Sequence, residues 1–333
     1  MYDHPELAAF ASDRFGLLCI ALFLEAVVGR LSWLFRLIPH PFNAFQRVAG
    51  FFGRRLNKSS RGPRALIVRG AIVTLFSCGL AMLAGWGLSV WSETFRSGWV
   101  VDLALVMLLV SQRGSYSDAS RTVRALTRDG LSEARKRVGA FHRGNADLLD
   151  EHGICRALTE HLAGELGRWL LGPVVWYLLL GLPGLLLYAA IIASSRSLAH
   201  DDATRAGFGW MAYRLEALAG AIPGWIAGHL VVAASLLAPT ARPIRAWRTM
   251  YAKANSLSNA VYGWPAAAFA GALSIEIGGP HSAEGRRLPW FGDGSPRLTN
   301  RDAHRAMMLF GYTCVLHAAL AAGLAVGSLI LAG

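Results

Sequence analysis

The sequence predicts an all-α protein, a polytopic helical bundle integral to a membrane, and three observations carry that prediction. Only 16% of the residues are charged, where a soluble domain carries about a quarter. The mean hydropathy is +0.38, well on the apolar side. The apolar residues are also gathered into runs, about five or six of which approach the roughly 20 residues a spanning helix needs.

Taken in order, the run 15–28 is interrupted by Glu25 and is short for a span. A basic segment follows over 30–69, with "LIPHP" and "FFGRRLNKSSRGPR". Residues 71–91 make a full span, and the shorter run 99–111 returns as its hairpin partner. In the polar region 112–168, Val123, Leu126, Leu131, Ala134, Val138 and Phe141 recur near helical spacing with Arg and Lys opposite. That pattern predicts two amphipathic helices broken at Asp129-Gly130, with Ser132 as N-cap, lying on anionic lipid. A further helix starts near Asp147, its acidic first turn suited to the helix dipole.

Residues 170–194 are apolar but carry "GLPGL" at their centre. Pro183-Gly184 either kinks a spanning helix or turns a re-entrant hairpin buried by protein. The next span is 222–238, the polar region 239–305 follows, and 307–331 closes the chain. We read 1–333 as a single membrane domain. The loops 30–69, 112–168 and 239–305 are rich in Arg and Lys, which places all three in the cytoplasm of a protein of the inner (plasma) membrane. If 170–194 spans, 195–221 lies outside; if it is re-entrant, 195–221 joins the cytoplasmic face and the parity question passes to 222–238.

The net charge of +12 is accounted for by loop arginines, so no nucleic-acid partner is expected. Cys19, Cys78, Cys155 and Cys314 show no CxxC spacing and read as buried thiols. The acidic N-terminus is unlike a cleaved signal peptide. No Walker-type loop, HExxH or GxSxG occurs.

Three polar patches could carry chemistry. In "ADLLDEHGICRALTEHLAGELGRW", Asp147, Glu151, His161 and Glu165 fall at helical spacing. His161 and Glu165 could meet a metal from one face, but no third ligand is in sight. The carboxylates could instead hold Mg²⁺ for phosphate chemistry, or belong to a salt-bridged helix with Arg156 near Glu160. In "LIPHP", two prolines hold His40 on an extended turn. In "GWPAAAFAGALSIEIGGP", Gly263, Trp264 and Pro265 precede a small-residue helix, and Gly278, Gly279 and Pro280 follow it. The paired glycines allow close backbone approach to a ligand.

The succession "LIPHP", "FGRRLN", "LDEHGICRALTEHLA", "GPVVWYLL", "LPGLLLY", "FGWMAYRLEAL", "GWPAAAFAGAL" and "GGPHS" resembles the CobD/CbiB family of cobalamin biosynthesis over roughly 17–312. The resemblance implies an enzyme that joins aminopropanol, or aminopropanol phosphate, to adenosylcobyric acid through an amide bond. The product would be adenosylcobinamide or its phosphate, with ATP and Mg²⁺ as cofactors. Implied partners are the corrinoid, the amine, the lipid bilayer and other membrane proteins of the pathway. Trp176, Trp210, Trp264 and Trp290 could offer apolar faces to a corrin.

The polar pattern departs from the family's. "LAGELGRW" stands for "LAENLSDG", so Gly164, Glu165 and Arg168 replace a carboxylate, an amide and a carboxylate. Ala266 stands where an acid is expected, "IASSRSLAHDDATR" keeps little of its polar run, and Glu25 and Arg30 replace two aspartates. Asp150, Glu151, Arg156, Glu160, Arg214 and Glu216 persist. By resemblance, Asp150, Glu151 and Glu160 would contact metal or amine, with Mg²⁺ on Asp150 and Glu160. Arg156 and Arg214 would contact phosphate, Glu216 substrate, and His40 would position or transfer a proton. Gly263 to Pro265 and Gly278 to Pro280 would shape the pocket. The alternative is a catalytically degenerate relative serving as membrane sensor or scaffold, as in the related AmpE-type proteins. The two readings separate on whether the acids at 150, 151, 160 and 216 converge with His40.

Overall fold

Asp13 opens the first helix by accepting the Gly16 N–H, and Gly62-Pro63 opens an apolar helix of 31 residues, each a local start signal readable in sequence. The computed structural model describes residues 13–29, 41–58, 62–95, 97–199, 202–254, 259–280, 282 and 288–332. Among them the helices are α1 (Arg14–Val28), α2 (Pro41–Leu56), α3 (Pro63–Glu93), α4 (Trp99–Leu109), α5 (Arg113–Arg128), α6 (Leu131–Gly139), α7 (Glu151–Glu165) and α8 (Gly172–Leu198). Then come α9 (Asp202–Ala206), α10 (Trp210–Ala219), α11 (Ala221–Ala234), α12 (Pro243–Lys253), α13 (Ala260–Leu273) and α14 (Asn300–Ala332). One antiparallel hairpin, β1 (Ile277–Gly279) with β2 (Leu288–Phe291), lies between the last two.

The contacts gather into two units that interleave in sequence, where the sequence reading had one domain. The first comprises Met1–Ser111, Gly172–Ala219 and His317–Gly333; the second comprises Gln112–Leu171 and Gly220–Leu316. Because the chain leaves and re-enters each unit, no linker marks the division.

In the first unit α3 packs on α8 through Gly85, where a Cβ would fall 2.6 Å from Pro183 Cα. Ala49, Val73, Leu198 and Phe208 form a core joined by Phe52, Leu56 and Leu66. The "GLPGL" question is settled here. Gly181 takes φ +67°, a conformation that glycine adopts without strain. A Cβ on Gly184 would meet the Trp176 carbonyl, and one on Gly172 would meet the Tyr188 ring. In straight helix those pairs would lie about 12 and 24 Å apart. The Trp176 and Tyr188 rings stack with centroids 6.5 Å apart. So α8 is a helical hairpin folded back on itself at Gly181–Pro183, rather than one straight or kinked spanning helix.

Among the described residues two helices are long and apolar enough to cross a bilayer, α3 and Asn300–Ile330 of α14. A third candidate arises if Trp210–Ala219 and Ala221–Ala234 count together; Leu182–Leu198 and Ala260–Leu273 are shorter apolar helices. The expected count is higher because 99–111 reads as a returning span and 15–28, though short, counts among the apolar runs. Yet α1 rises about 22 Å and α4 about 16 Å, short of the ≈ 30 Å hydrocarbon core.

In the second unit α5 and α6 break at Gly130, as expected, but Gly130 itself (φ +86°) is the N-cap and Ser132 lies within the helix. Their apolar face is not left for lipid. Ala125, Ala134 and Val138 pack with Leu149, Ile154 and Ala157, and Leu126, Leu131 and Phe141 close over them. The helix expected near Asp147 begins with a 3₁₀ turn, Ala146–Leu148, before α7 starts at Glu151.

The helix α13 is almost wholly buried. Gly263, Trp264 and Pro265 lie inside it rather than ahead of it, since Asn259 caps the helix through the Val261 N–H. Pro265 cannot donate to the Val261 carbonyl, and Gly167, lacking a Cβ, abuts that carbonyl. The brackets around the small-residue segment are thus packing devices at close backbone approach.

Candidate functional site

Asp150 begins the site by capping α7: its Oδ1 accepts the Gly153 N–H at 2.7 Å. Glu151, one residue on, is exposed. Arg156 and Glu160 follow at four-residue spacing, which puts them on one face. Glu160 is 1% exposed, a buried carboxylate that must be satisfied internally. Its Oε1 accepts the Gly278 N–H at 2.8 Å and its Oε2 accepts the Ser282 hydroxyl at 2.7 Å. It therefore clamps the hairpin turn to α7.

The two glycines fit that turn for steric reasons. Gly278 has φ +94° and Gly279 φ +81°. A Cβ on Gly279 would sit 2.5 Å from the Trp290 ring, and one on Gly278 2.9 Å from Phe291. Trp290 in turn carries the Arg156 guanidinium 5.0 Å from its ring centroid, a cation–π distance. Arg156 Nη1 also donates to the Pro296 carbonyl at 2.9 Å. Trp290 and Pro280 are exposed around this clamp, and Arg156 is half-buried beside them.

Beside it lies a buried polar group from the stretch that departs most from the expected pattern. The Ser115 hydroxyl donates to Glu165 Oε2 at 3.2 Å, and His161 Nδ1 is 3.9 Å from Glu165 Oε1. The His161 ring stacks on Phe141 at 4.1 Å. The helix then widens into a π turn, Leu166–Leu171, in which even Arg168 is buried. Such π segments recur at functional sites. Cys155, close by, is an inert thiol: burial and nearby carboxylates push its pKa up to about 12.

The expected metal pair is corrected by helix geometry. Asp150 and Glu160 are ten residues apart along α7, about 15 Å of rise, too far to share one ion. Asp150 has a capping role and both oxygens of Glu160 are hydrogen-bonded. Among the described residues no group of three or more His, Cys, Asp and Glu could hold a metal.

The other expected residues fall elsewhere. Arg214 and Glu216 are on α10 of the first unit, Arg214 exposed with its guanidinium 5.9 Å from the Trp210 ring centroid. Glu216 is buried and accepts a hydrogen bond from the Ser195 hydroxyl. Gly263, Trp264 and Pro265 pack within the second unit against α11, where a Cβ on Gly228 would lie 3.1 Å from Trp264. His40 lies outside the described residues. His161 and Glu165, expected as a possible metal pair, do come together, 3.9 Å apart and buried, with no third such ligand among the described residues; Ser282 and Ser115 were not singled out, and the Ser of "GGPHS" was the one available signal for the first.

Comparison with known proteins bears on this arrangement. The family model described as CobD/Cbib protein matches residues 18–310. A cobalamin biosynthesis protein CobD of Sinorhizobium sp is 29% identical over 91% of this chain and 95% of its own length. The protein of that name from Brucella melitensis biotype 1 is 30% identical over 90% of this chain and 93% of its own. That from Rhodobacter capsulatus is 26% identical over 88% and 92%. No solved structure matches.

Proposed function

The chain belongs to the CobD/CbiB family, and from that premise we propose that it acts in cobalamin biosynthesis, joining aminopropanol or aminopropanol phosphate to a side-chain carboxylate of adenosylcobyric acid. The observation that carries the reading is the α7–hairpin clamp, which holds Arg156 and Trp290 beside one another at the hairpin. Amide formation on a corrin needs a cation for the anionic group and a flat apolar surface for the ring. Arg156 and Trp290 supply the two side by side. Glu160 positions them by fixing the Gly278–Gly279 turn. Glu151, an exposed carboxylate at the start of the same helix, is suited to an ammonium group. Arg214 offers an anion contact in the first unit.

The residues present do not fit Mg²⁺ held jointly by Asp150 and Glu160, so no step is routed through a metal. ATP dependence rests on the family resemblance and is tested by omitting nucleotide. The bilayer is the cell's inner membrane, and the positive-inside rule supports basic loops that face the cytoplasm; for 30–69 and 112–168 to share that side, the short α4 has to complete the return that α3 begins. Other membrane proteins of the pathway are the expected neighbours.

One observation favours a second reading, a non-catalytic scaffold on the same fold. Asp150, Glu160 and Glu216 all make hydrogen bonds that hold the fold itself. Complementation separates the two. A strain lacking its aminopropanol-attaching enzyme, fed adenosylcobyric acid as sole corrin source, should grow when it expresses this chain. Membrane-inserted protein that supports growth on cobinamide alone would establish the scaffold instead.

A further inference from the structure

The helix α12, sequence PIRAWRTMYAK, has two faces of different kinds. Its inner face is Ala246, Thr249 and Met250, all buried. It lies close on α13 and α11 because both present glycine: a Cβ on Gly271 would fall 2.5 Å from the Arg245 carbonyl, and one on Gly228 2.8 Å from Met250 Sδ. The outer face does not match a water-facing helix. Ile244 is 69% exposed, Trp247 48% and Tyr251 45%, at positions i, i+3 and i+7 of one stripe. Ile222 and Trp225 of α11 add two more exposed apolar side chains. Arg242, Arg245 and Arg248 are exposed on the same short helix.

The stripe is built as one aromatic group. His229 bridges the two helices, its Nδ1 2.8 Å from the Trp225 carbonyl and its Nε2 3.0 Å from the Tyr251 hydroxyl. Trp225 packs on His229 at 4.2 Å and Trp247 on Tyr251 at 4.7 Å. Trp and Tyr with polar edges and apolar bodies collect at the head-group level of bilayers. A helix with an apolar stripe flanked by arginines lies in that plane. The arginines add attraction to an anionic leaflet.

We infer that α12 is an interfacial helix, and that the Ile244–Trp247–Tyr251 face with Arg242, Arg245 and Arg248 is a binding site for anionic phospholipid. Lipid is favoured over a soluble ligand because the exposed apolar residues run along one helix stripe and on to α11, beside three exposed arginines. The site is independent of the reaction proposed above.

The test uses the full chain in nanodiscs of phosphatidylcholine and phosphatidylglycerol at three to one. Trp247→p-benzoylphenylalanine is photolysed and the α12 peptide analysed by mass spectrometry. Native mass spectrometry then counts phosphatidylglycerol retained by the parent and by R242Q/R245Q/R248Q. The expected results are a lipid adduct at position 247 and retained phosphatidylglycerol that falls roughly five-fold per arginine removed. An adduct to a second copy of the chain, or to added dicyanocobinamide, would overturn the inference. So would a folded protein with no lipid adduct, or an unchanged lipid count in the triple variant.

Discussion

Replacing Glu160 separates a positioning role from a catalytic one. Its two oxygens accept from the Gly278 N–H at 2.8 Å and the Ser282 hydroxyl at 2.7 Å in a nearly water-free setting. Hydrogen bonds to a charged group each contribute roughly 1.5–3 kcal/mol, and an orphaned buried donor costs about 1–3 kcal/mol. Glu160→Gln keeps the shape: its amide oxygen can accept from Gly278 while Ser282 turns to accept from the NH₂. Only the charge assistance goes, at about 1–2 kcal/mol. Glu160→Ala loses both bonds and strands the Gly278 N–H, at roughly 3–5 kcal/mol. At about 1.4 kcal/mol per factor of ten, the amides of β1 and β2 should exchange some ten-fold faster in Glu160→Gln and 10²–10⁴-fold faster in Glu160→Ala. Hydrogen-exchange mass spectrometry reads this directly, with growth on adenosylcobyric acid as the companion readout. The positioning account expects Glu160→Gln to support growth and Glu160→Ala to fail. A Glu160→Gln protein with an undisturbed hairpin and no growth would refute it, because the carboxylate would then be needed for its chemistry.

Three further outcomes are expected. Asp150→Ala should lower stability by about 1 kcal/mol through loss of the α7 cap, with Asp150→Asn restoring most of it, measured by thermal unfolding; unchanged stability would remove the cap. Arg156→Gln should raise the KM for the corrinoid about ten-fold or more, consistent with a charge-assisted contact worth roughly 1.5–3 kcal/mol, and lower the melting temperature modestly, since the half-buried guanidinium also bonds the Pro296 carbonyl. Gly181→Ala should lower stability by roughly 1–2 kcal/mol in thermal unfolding, because φ +67° strains any residue that carries a Cβ; unchanged stability would contradict the turn at Gly181.

The long apolar helices α3 and α14 and the Gly130 break were legible because each is a local signal: run length, or a glycine between two periodic stretches. The Asp150 cap was legible too, since an Asp stands just before the helical pattern, yet the family role drew it toward a metal. What one sequence hides is the partner of each face. The periodicity of Val123 to Phe141 says that a face is covered, and the structure shows α7, not lipid, covering it. The choice between kink and hairpin at "GLPGL" depends on whether Gly184 meets Trp176, a tertiary contact. The Glu160–Gly278 bond joins residues 118 apart and leaves no local trace. The π turn that buries Arg168 likewise has no signature in a stretch that reads as continuous helix.

The most direct test of the central claim is product formation by the purified chain. The protein in nanodiscs is supplied with adenosylcobyric acid, aminopropanol phosphate, ATP and Mg²⁺, and the corrinoids are weighed by mass spectrometry. The account predicts a product heavier by aminopropanol phosphate less one water, formed by the parent and strongly reduced in Arg156→Gln. A folded, membrane-inserted chain that leaves adenosylcobyric acid unchanged with either aminopropanol or its phosphate, where the Sinorhizobium relative converts it, would contradict the claim.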